Sequence, residues 1–316
     1  MNSQIFILFI SAIVSFLLTY PIAWVLTFLH LNQTIRAEGP QTHQTKAGTP
    51  TMGGIGFVVT ILAFSLIFIN FDLDWRYLAL IIMIFGFALV GFADDLLKIV
   101  RKQNLGLTFW QKIAVQTALA AAFSLFLIVL GHHNLTSGFL KILWFANPVL
   151  FFLLSTFIIV GTANATNLTD GLNGLLAGTG GIAFLSFALL ARKLLIYDAT
   201  TFCFIAAGAV LVFLFYNFPK AKVFMGDVGS LAIGAALAGI AIIIHKELRL
   251  MVIGGVFLVE ALSVILQVAA YKLWKKRILR MAPLHHHFEL LGFGEMPIVI
   301  GFWVAVVILG LIGVWF

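Results

Sequence analysis

The stretch Tyr77–Lys98 reads YLALIIMIFGFALVGFADDLLK. Its first part, residues 77–93, is uncharged and long enough to cross a bilayer as one α-helix. The apolar run is continuous, with no alternation at period two, so it does not read as a strand of a membrane barrel. It stops on two adjacent carboxylates, Asp94 and Asp95, with Lys98 close behind. Acids at the edge of hydrocarbon are costly unless a cation or a proton compensates them.

The same pattern recurs on both sides of this stretch. Ten spans are predicted, at 5–30, 53–70, 77–93, 113–131, 142–162, 174–191, 200–217, 231–245, 250–271 and 297–316. Composition agrees: of 316 residues 62% are hydrophobic and 10% charged, with a mean hydropathy of +1.11. Soluble domains carry about a quarter charged residues. The fold class is therefore all-α, a polytopic integral membrane protein. No polar segment is long enough for an extramembrane domain, so residues 1–316 read as a single transmembrane domain. The first apolar run begins at Ile5 with no basic residue before it, and reads as a retained span rather than a cleavable signal. Cys203, the single cysteine, permits no intrachain disulfide and speaks against a structural zinc site.

An even number of spans puts both termini on one side. One set of connections holds Arg36, Lys46, Lys98, Arg101, Lys102, Lys112, Lys220, Lys222, Lys272, Lys275, Lys276, Arg277 and Arg280; the other holds Arg76, Lys141, Arg192, Lys193, Lys246 and Arg249. The richer set is expected in the cytoplasm, with both termini outside. The net charge of +7 lies in these loops and points to membrane lipids or anionic substrates, with no nucleic acid as partner.

The inward connections also hold nearly every unusual polar cluster. Asp94 and Lys98 share a helix face at i, i+4 while Asp95 points elsewhere. The plain reading is an interfacial stop with an ion pair; the functional one is a divalent-metal or phosphate site. Between Asn164 and Gly174 lie six hydrogen-bonding side chains and two glycines. A turn and a helix cap explain two of them, whereas a dense amide–carboxylate set suits recognition of a base or sugar. In Asn217–Ser230, Gly226 and Gly229 flank Asp227 at an expected helix N-terminus, near Lys220 and Lys222. That suits either a cap or a metal bridging to phosphate. His285, His286 and His287 follow a basic stretch and are expected in an ordered loop. Lys46 to Gly56 combines a lysine, two threonines and glycines, fitting close helix packing or a phosphate. Glu260 lies inside the ninth apolar run, where pairing with Gln267 and a functional role compete.

Lys46-x-Gly-Thr-Pro-Thr51-Met-Gly-Gly, Ala93-Asp94-Asp95, Asn167-Leu-Thr-Asp170-Gly-Leu, Phe224-Met-Gly-Asp227-Val-Gly-Ser and Pro283-Leu-His-His-His-Phe-Glu, in this order along the chain, resemble the phospho-N-acetylmuramoyl-pentapeptide transferase family. That family is a branch of the polyprenyl-phosphate N-acetylhexosamine-1-phosphate transferases. The resemblance covers essentially the whole chain and implies a multi-pass enzyme of the bacterial cytoplasmic membrane, with its active site on the cytoplasmic face. It implies UDP-N-acetylmuramoyl-pentapeptide as donor, undecaprenyl phosphate as acceptor, lipid I of peptidoglycan biosynthesis and UMP as products, Mg²⁺ as cofactor and a homodimer. It further implies Asp227 as magnesium ligand, Asp94 and Asp95 as the catalytic pair, and Asn167, Asp170, Gly171, Leu172 and Phe224 as the uridine pocket. Lys46, Thr51, Asn217, Gly226 and His285 to His287 would contact ribose or phosphates, with Lys98 and Lys112 on the polar rim. The family pattern Asp-Gly-Leu-Asp-Gly departs here at Asn173, whose amide is expected to meet the uracil edge in place of a carboxylate. A UDP-N-acetylglucosamine-1-phosphate transferase is the alternative among enzymes. A secondary transporter is the alternative from another class, and would call for mid-span charges and inverted repeats.

Overall fold

In lipid a chain must satisfy its own backbone hydrogen bonds, and long apolar runs therefore fold as helices. A computed structural model describes residues 2–32, 48–70, 74–101, 103, 105–132 and 147–315. The helices are α1 Asn2–Phe28, α2 Ile55–Phe68, α3 Trp75–Arg101, α4 Phe109–Val129, α5 Pro148–Thr169, α6 Leu175–Lys193, α7 Tyr197–Val212, α8 Leu214–Asn217, α9 Gly226–Ile243, α10 Glu247–Ile253, α11 Gly255–Trp274, α12 Leu284–Leu290 and α13 Glu295–Trp315. Among the described residues there is no strand, only an isolated bridge between Asn32 and Pro50.

Nine segments among the described residues are long and apolar enough to span a membrane, α7 and α8 together making one of them. The expected second span is shorter: α2 has 14 residues. The expected ninth span is broken at Gly254 into α10 and α11. Several helices also run further than hydropathy suggests. The third continues past Asp94 and Asp95 to Arg101, and the fifth passes through Asn164 and Asn167 to Thr169. Lys98 and Arg101 in the last turn of α3 oppose the negative end of its dipole. At the start of α4, Thr108 and Gln111 form a reciprocal capping box.

The apolar core centres on α6, α7 and α9, while α1, α4 and α11 present large exposed apolar side chains as lipid-facing helices do. Small residues let α9 approach its neighbours closely. A Cβ at Gly234 would strike Thr166 and Ala163 of α5, and one at Gly239 would strike Leu80 and Met83 of α3. At the other end of the same crossing, a Cβ on Gly91 of α3 would run into the backbone of Asp227 and Val228. That contact brings the acidic end of α3 against the first turn of α9.

Candidate active site

Three acidic side chains meet where α3 and α9 cross. Asp94 and Asp95 are each 3% exposed, so their charges need partners. Each of Asp94, Asp95 and Asp227 offers one oxygen, and these oxygens lie within 4.8 Å of one another. Two ammonium groups reach into the cluster. Lys98 Nζ lies 2.6 Å from Asp94 Oδ2, 3.1 Å from Asp227 Oδ2 and 3.5 Å from Asp95 Oδ1. Lys112, from the first turn of α4, lies 2.5 Å from the same Asp227 Oδ2 and 3.8 Å from Asp94 Oδ2. The two lysines expected on the rim thus stand at the centre. Lys220 and Lys222, expected near Asp227, are exposed, and among the described residues the ion pairs of Asp227 are with Lys98 and Lys112.

Backbone and amide donors complete the frame. Leu107 N–H donates to Asp94 Oδ1 at 2.8 Å, which ties the α3–α4 turn to the acid. Asp95 is held more loosely, by Val228 N–H at 3.4 Å. Asn167 Nδ2 donates to Asp227 Oδ1 at 2.8 Å and to Ser230 Oγ at 2.9 Å. Gly226 adopts φ +76, and a Cβ there would meet Asp95 Oδ2, so only glycine fits this corner.

The threonine–glycine segment joins the site through backbone pairing. Phe224 N–H donates to Pro50 O, Gly53 N–H to Phe224 O and Gly54 N–H to Met225 O. Thr51 is thereby buried next to Gly226, its hydroxyl without a partner among the described residues. Phe224 is half-buried. Lys46 lies outside the described residues. Asp170 follows the last turn of α5; burial, then the Asp227 and Asp95 carboxylates, push its carboxyl up to about 8.

Other predicted site residues bind the protein itself. Asn217 Oδ1 accepts from Gly174 N–H at 2.7 Å, and its Nδ2 donates to Val223 O at 3.0 Å. Asn173, expected at the uracil edge, spends its Nδ2 on Pro219 O at 3.2 Å, while its backbone N–H donates to Glu295 at 2.7 Å. Leu172 packs in a small apolar cluster with Leu175, Ile298 and Val299. The three histidines sit on the short helix α12 rather than in a loop. His286 Nδ1 is 2.6 Å from Glu289 Oε2, and His287 Nδ1 accepts from Arg280 N–H at 3.2 Å. His285 turns inward to Glu260, not visible from sequence because 25 residues separate them. Gln267, the expected partner of Glu260, instead holds the backbone of Ile278 and Leu279. Ser230, one turn after Asp227, is the residue that spacing alone would have found.

A profile described as glycosyl transferase family 4 matches residues 77–245, which include all three aspartates. The phospho-N-acetylmuramoyl-pentapeptide-transferase of Shouchella clausii (strain KSM-K16) is 47% identical over 291 residues, 91% of this chain and 89% of that protein. The protein of the same name from Bacillus pumilus (strain SAFR-032) is 43% identical over 317 residues, 98% of this chain and 97% of its own. That of Bacillus cytotoxicus (strain DSM 22905 / CIP 110041 / 391-98 / NVH 391-98) is 45% identical over 293 residues, covering 91% and 89%.

Proposed function

The chain belongs to the phospho-N-acetylmuramoyl-pentapeptide transferases, within glycosyl transferase family 4, and from that membership we propose that it makes lipid I. In this reaction phospho-N-acetylmuramoyl-pentapeptide leaves its UDP carrier for undecaprenyl phosphate, and UMP is released. The observation that carries the reading is the meeting of three aspartate oxygens with two lysines at one end of the bundle.

Hard oxygen donors from three carboxylates suit magnesium, and Asp227, with the aspartate pair beside it, would hold the ion. The metal would supply charge neutralisation at the diphosphate and at the departing UMP. The residues of the chain do the rest. Asp94 and Asp95 orient the lipid phosphate or take its proton, so that an acceptor oxygen bonds to the β-phosphorus as the bond to UMP breaks. Asn167 and Lys112 keep Asp227 turned toward the pair. Lys98 links all three acids and offsets their mutual repulsion. The Asp170–Gly171 turn, half-buried beside the cluster, is placed to meet the nucleoside of the donor.

We also place this end of the bundle in the cytoplasm of a bacterial inner membrane, with both termini outside. The site end carries Lys98, Arg101, Lys112, Lys220, Lys222, Lys272, Lys275, Lys276, Arg277 and Arg280 among the described residues. The far end carries Arg76, Arg192, Lys193, Lys246 and Arg249. A homodimer is part of the same proposal, on family grounds alone.

The test is UMP release by the purified protein from UDP-N-acetylmuramoyl-pentapeptide and undecaprenyl phosphate, with magnesium and after its chelation. Release that is as fast from UDP-N-acetylglucosamine would replace this reading with that of the sister transferases.

A further inference from the structure

A carboxylate buried inside an apolar span is expensive unless its charge is answered. Glu260 of α11 is fully buried, and three N–H groups answer it, all from one short segment. Leu284 N–H donates to Oε2 at 3.0 Å, His285 N–H to Oε1 at 3.2 Å, and His285 Nδ1 lies 3.0 Å from Oε2. An ionised carboxylate can only accept, so Nδ1 carries the proton in this pair. The other ring nitrogen, Nε2, is equally buried and has no hydrogen-bond partner among the described residues. It is pressed against Gly171: a Cβ on that glycine would collide with Nε2, Cε1 and Cδ2 of the ring. A carboxylate in the membrane thus fixes a ring, and the ring backs the Asp170–Gly171 turn beside the aspartate cluster.

We propose that Glu260 is a positioning residue of the donor site: by pinning α12 and the His285 ring, it sets the Asp170–Gly171 turn that receives the nucleoside end of the donor. The role of the turn rests on the function proposed above; the link from Glu260 through His285 to Gly171 rests on geometry alone. Glutamine at 260 has a single acceptor oxygen for three N–H groups, so one of them must face its NH₂. With the oxygen at the Oε2 position His285 N–H faces the NH₂ and its hold on α12 is lost; with the oxygen at the Oε1 position the ring faces the NH₂ and Nδ1 must give up its proton. The ring is then no longer held in one tautomer, while the volume at 260 is unchanged.

Two readouts test this. In ¹⁵N spectra of histidine-labelled protein, with the His285 signal assigned by its loss in His285→Gln, Nδ1 should be protonated in wild type and mixed in Glu260→Gln. An unprotonated Nδ1 in wild type, or an unchanged signal in Glu260→Gln, overturns the link. In kinetics, Glu260→Gln should raise KM for the UDP donor about 10-fold, as for one misplaced hydrogen-bonding group, with kcat and the acceptor KM within about 2-fold. Combining it with His285→Gln should be no worse than His285→Gln alone, and Glu260→Asp should recover part of the donor KM. Equal losses in kcat and both KM values, or losses that multiply in the double variant, would show a merely structural carboxylate. A wild-type protein that ignores the UDP donor would count against the function, and the ¹⁵N result would still judge the link.

Discussion

The helix pair α3 and α9 carries a charged cluster at each end, and the two clusters are built on different principles. At the far end, Asp74 and Arg76 match one carboxylate to one guanidinium in a two-pronged pair. Arg76 Nη1 also donates to His132 Nδ1 at 2.7 Å, which leaves His132 Nε2–H for Ile242 O at 3.4 Å. The His132 ring stacks on His245 at 4.0 Å. Asp74 and Arg76 answer each other's charge there, and the histidine is neutral by its partners. At the site end, three carboxylates converge on two ammonium groups, and both ammonium groups crowd one oxygen of Asp227. Like charges gathered beyond what their counter-ions match cost stability, and such surplus marks where a ligand's charge belongs. At the site end one carboxylate remains in excess of the two ammonium groups, which fits the cation proposed above.

If that contrast is right, the largest effect falls on Asp227. Asp227→Asn should lower kcat by more than about 1,000-fold at saturating Mg²⁺. UMP release above a tenth of the wild-type rate would put Asp227 in the same class as Asp74.

Asp94→Asn and Asp95→Asn should each cost about 100-fold or more in kcat. Asp94 is held by short bonds from Lys98 and Leu107 N–H, and Asp95 by longer ones. Donor alone, mixed with enzyme in a single turnover, separates two routes. A burst of UMP with a phosphorylated protein signals a covalent intermediate, and its absence signals direct attack by the lipid phosphate.

Arg76→Gln probes the far-end cluster and should do the reverse. It strands Asp74 and His132 and should cost about 1–2 kcal/mol of stability. Both KM values and kcat should stay within about 2-fold of wild type. A large kinetic effect would mean that the two ends communicate along α3 and α9.

The last effect is a pH dependence of stability. Burial first, then Arg76, hold the His132 ring down to about 4, against about 6.5 in an unfolded chain. The unfolded state therefore binds this proton first, so the stability is present above about pH 6.5 and drains away as pH falls toward 4. At pH 5 the loss is about 2 kcal/mol, to be read as a lower melting temperature in detergent than at pH 7. His132→Gln should flatten that dependence.

Much of the bundle could be read from the chain, because long uncharged runs have one solution in lipid. Where spans end could not. Helices α3 and α5 continue through Asp94, Asp95 and Asn167, since partners from other segments satisfy those side chains. Hydropathy, which sees only a residue's neighbours in sequence, stops there. The aspartates stood out as rare charges beside apolar runs. Lys98 stood out as well, by its i, i+4 spacing from Asp94. Lys112 did not: it looks like any cation near a helix start, and only the crossing of α3 and α9 carries Asp227 to it. The histidine triplet misled for a related reason. With only one of the three turned inward to a buried acid, a short helix accommodates them all.

The crossing of α3 and α9 has one more consequence. The two helices touch at Gly91 against Asp227 and again at Leu80 against Gly239, near the opposite ends of α9. A thicker or thinner bilayer is met by tilting helices, the usual response to hydrophobic mismatch. Joined at both ends, this pair tilts as one body, and the span from the aspartate pair to Asp227 is carried along unaltered. Acyl-chain length should therefore act on the peripheral helices, α1, α4 and α11, which meet the lipid, and leave the spacing of the three acids untouched.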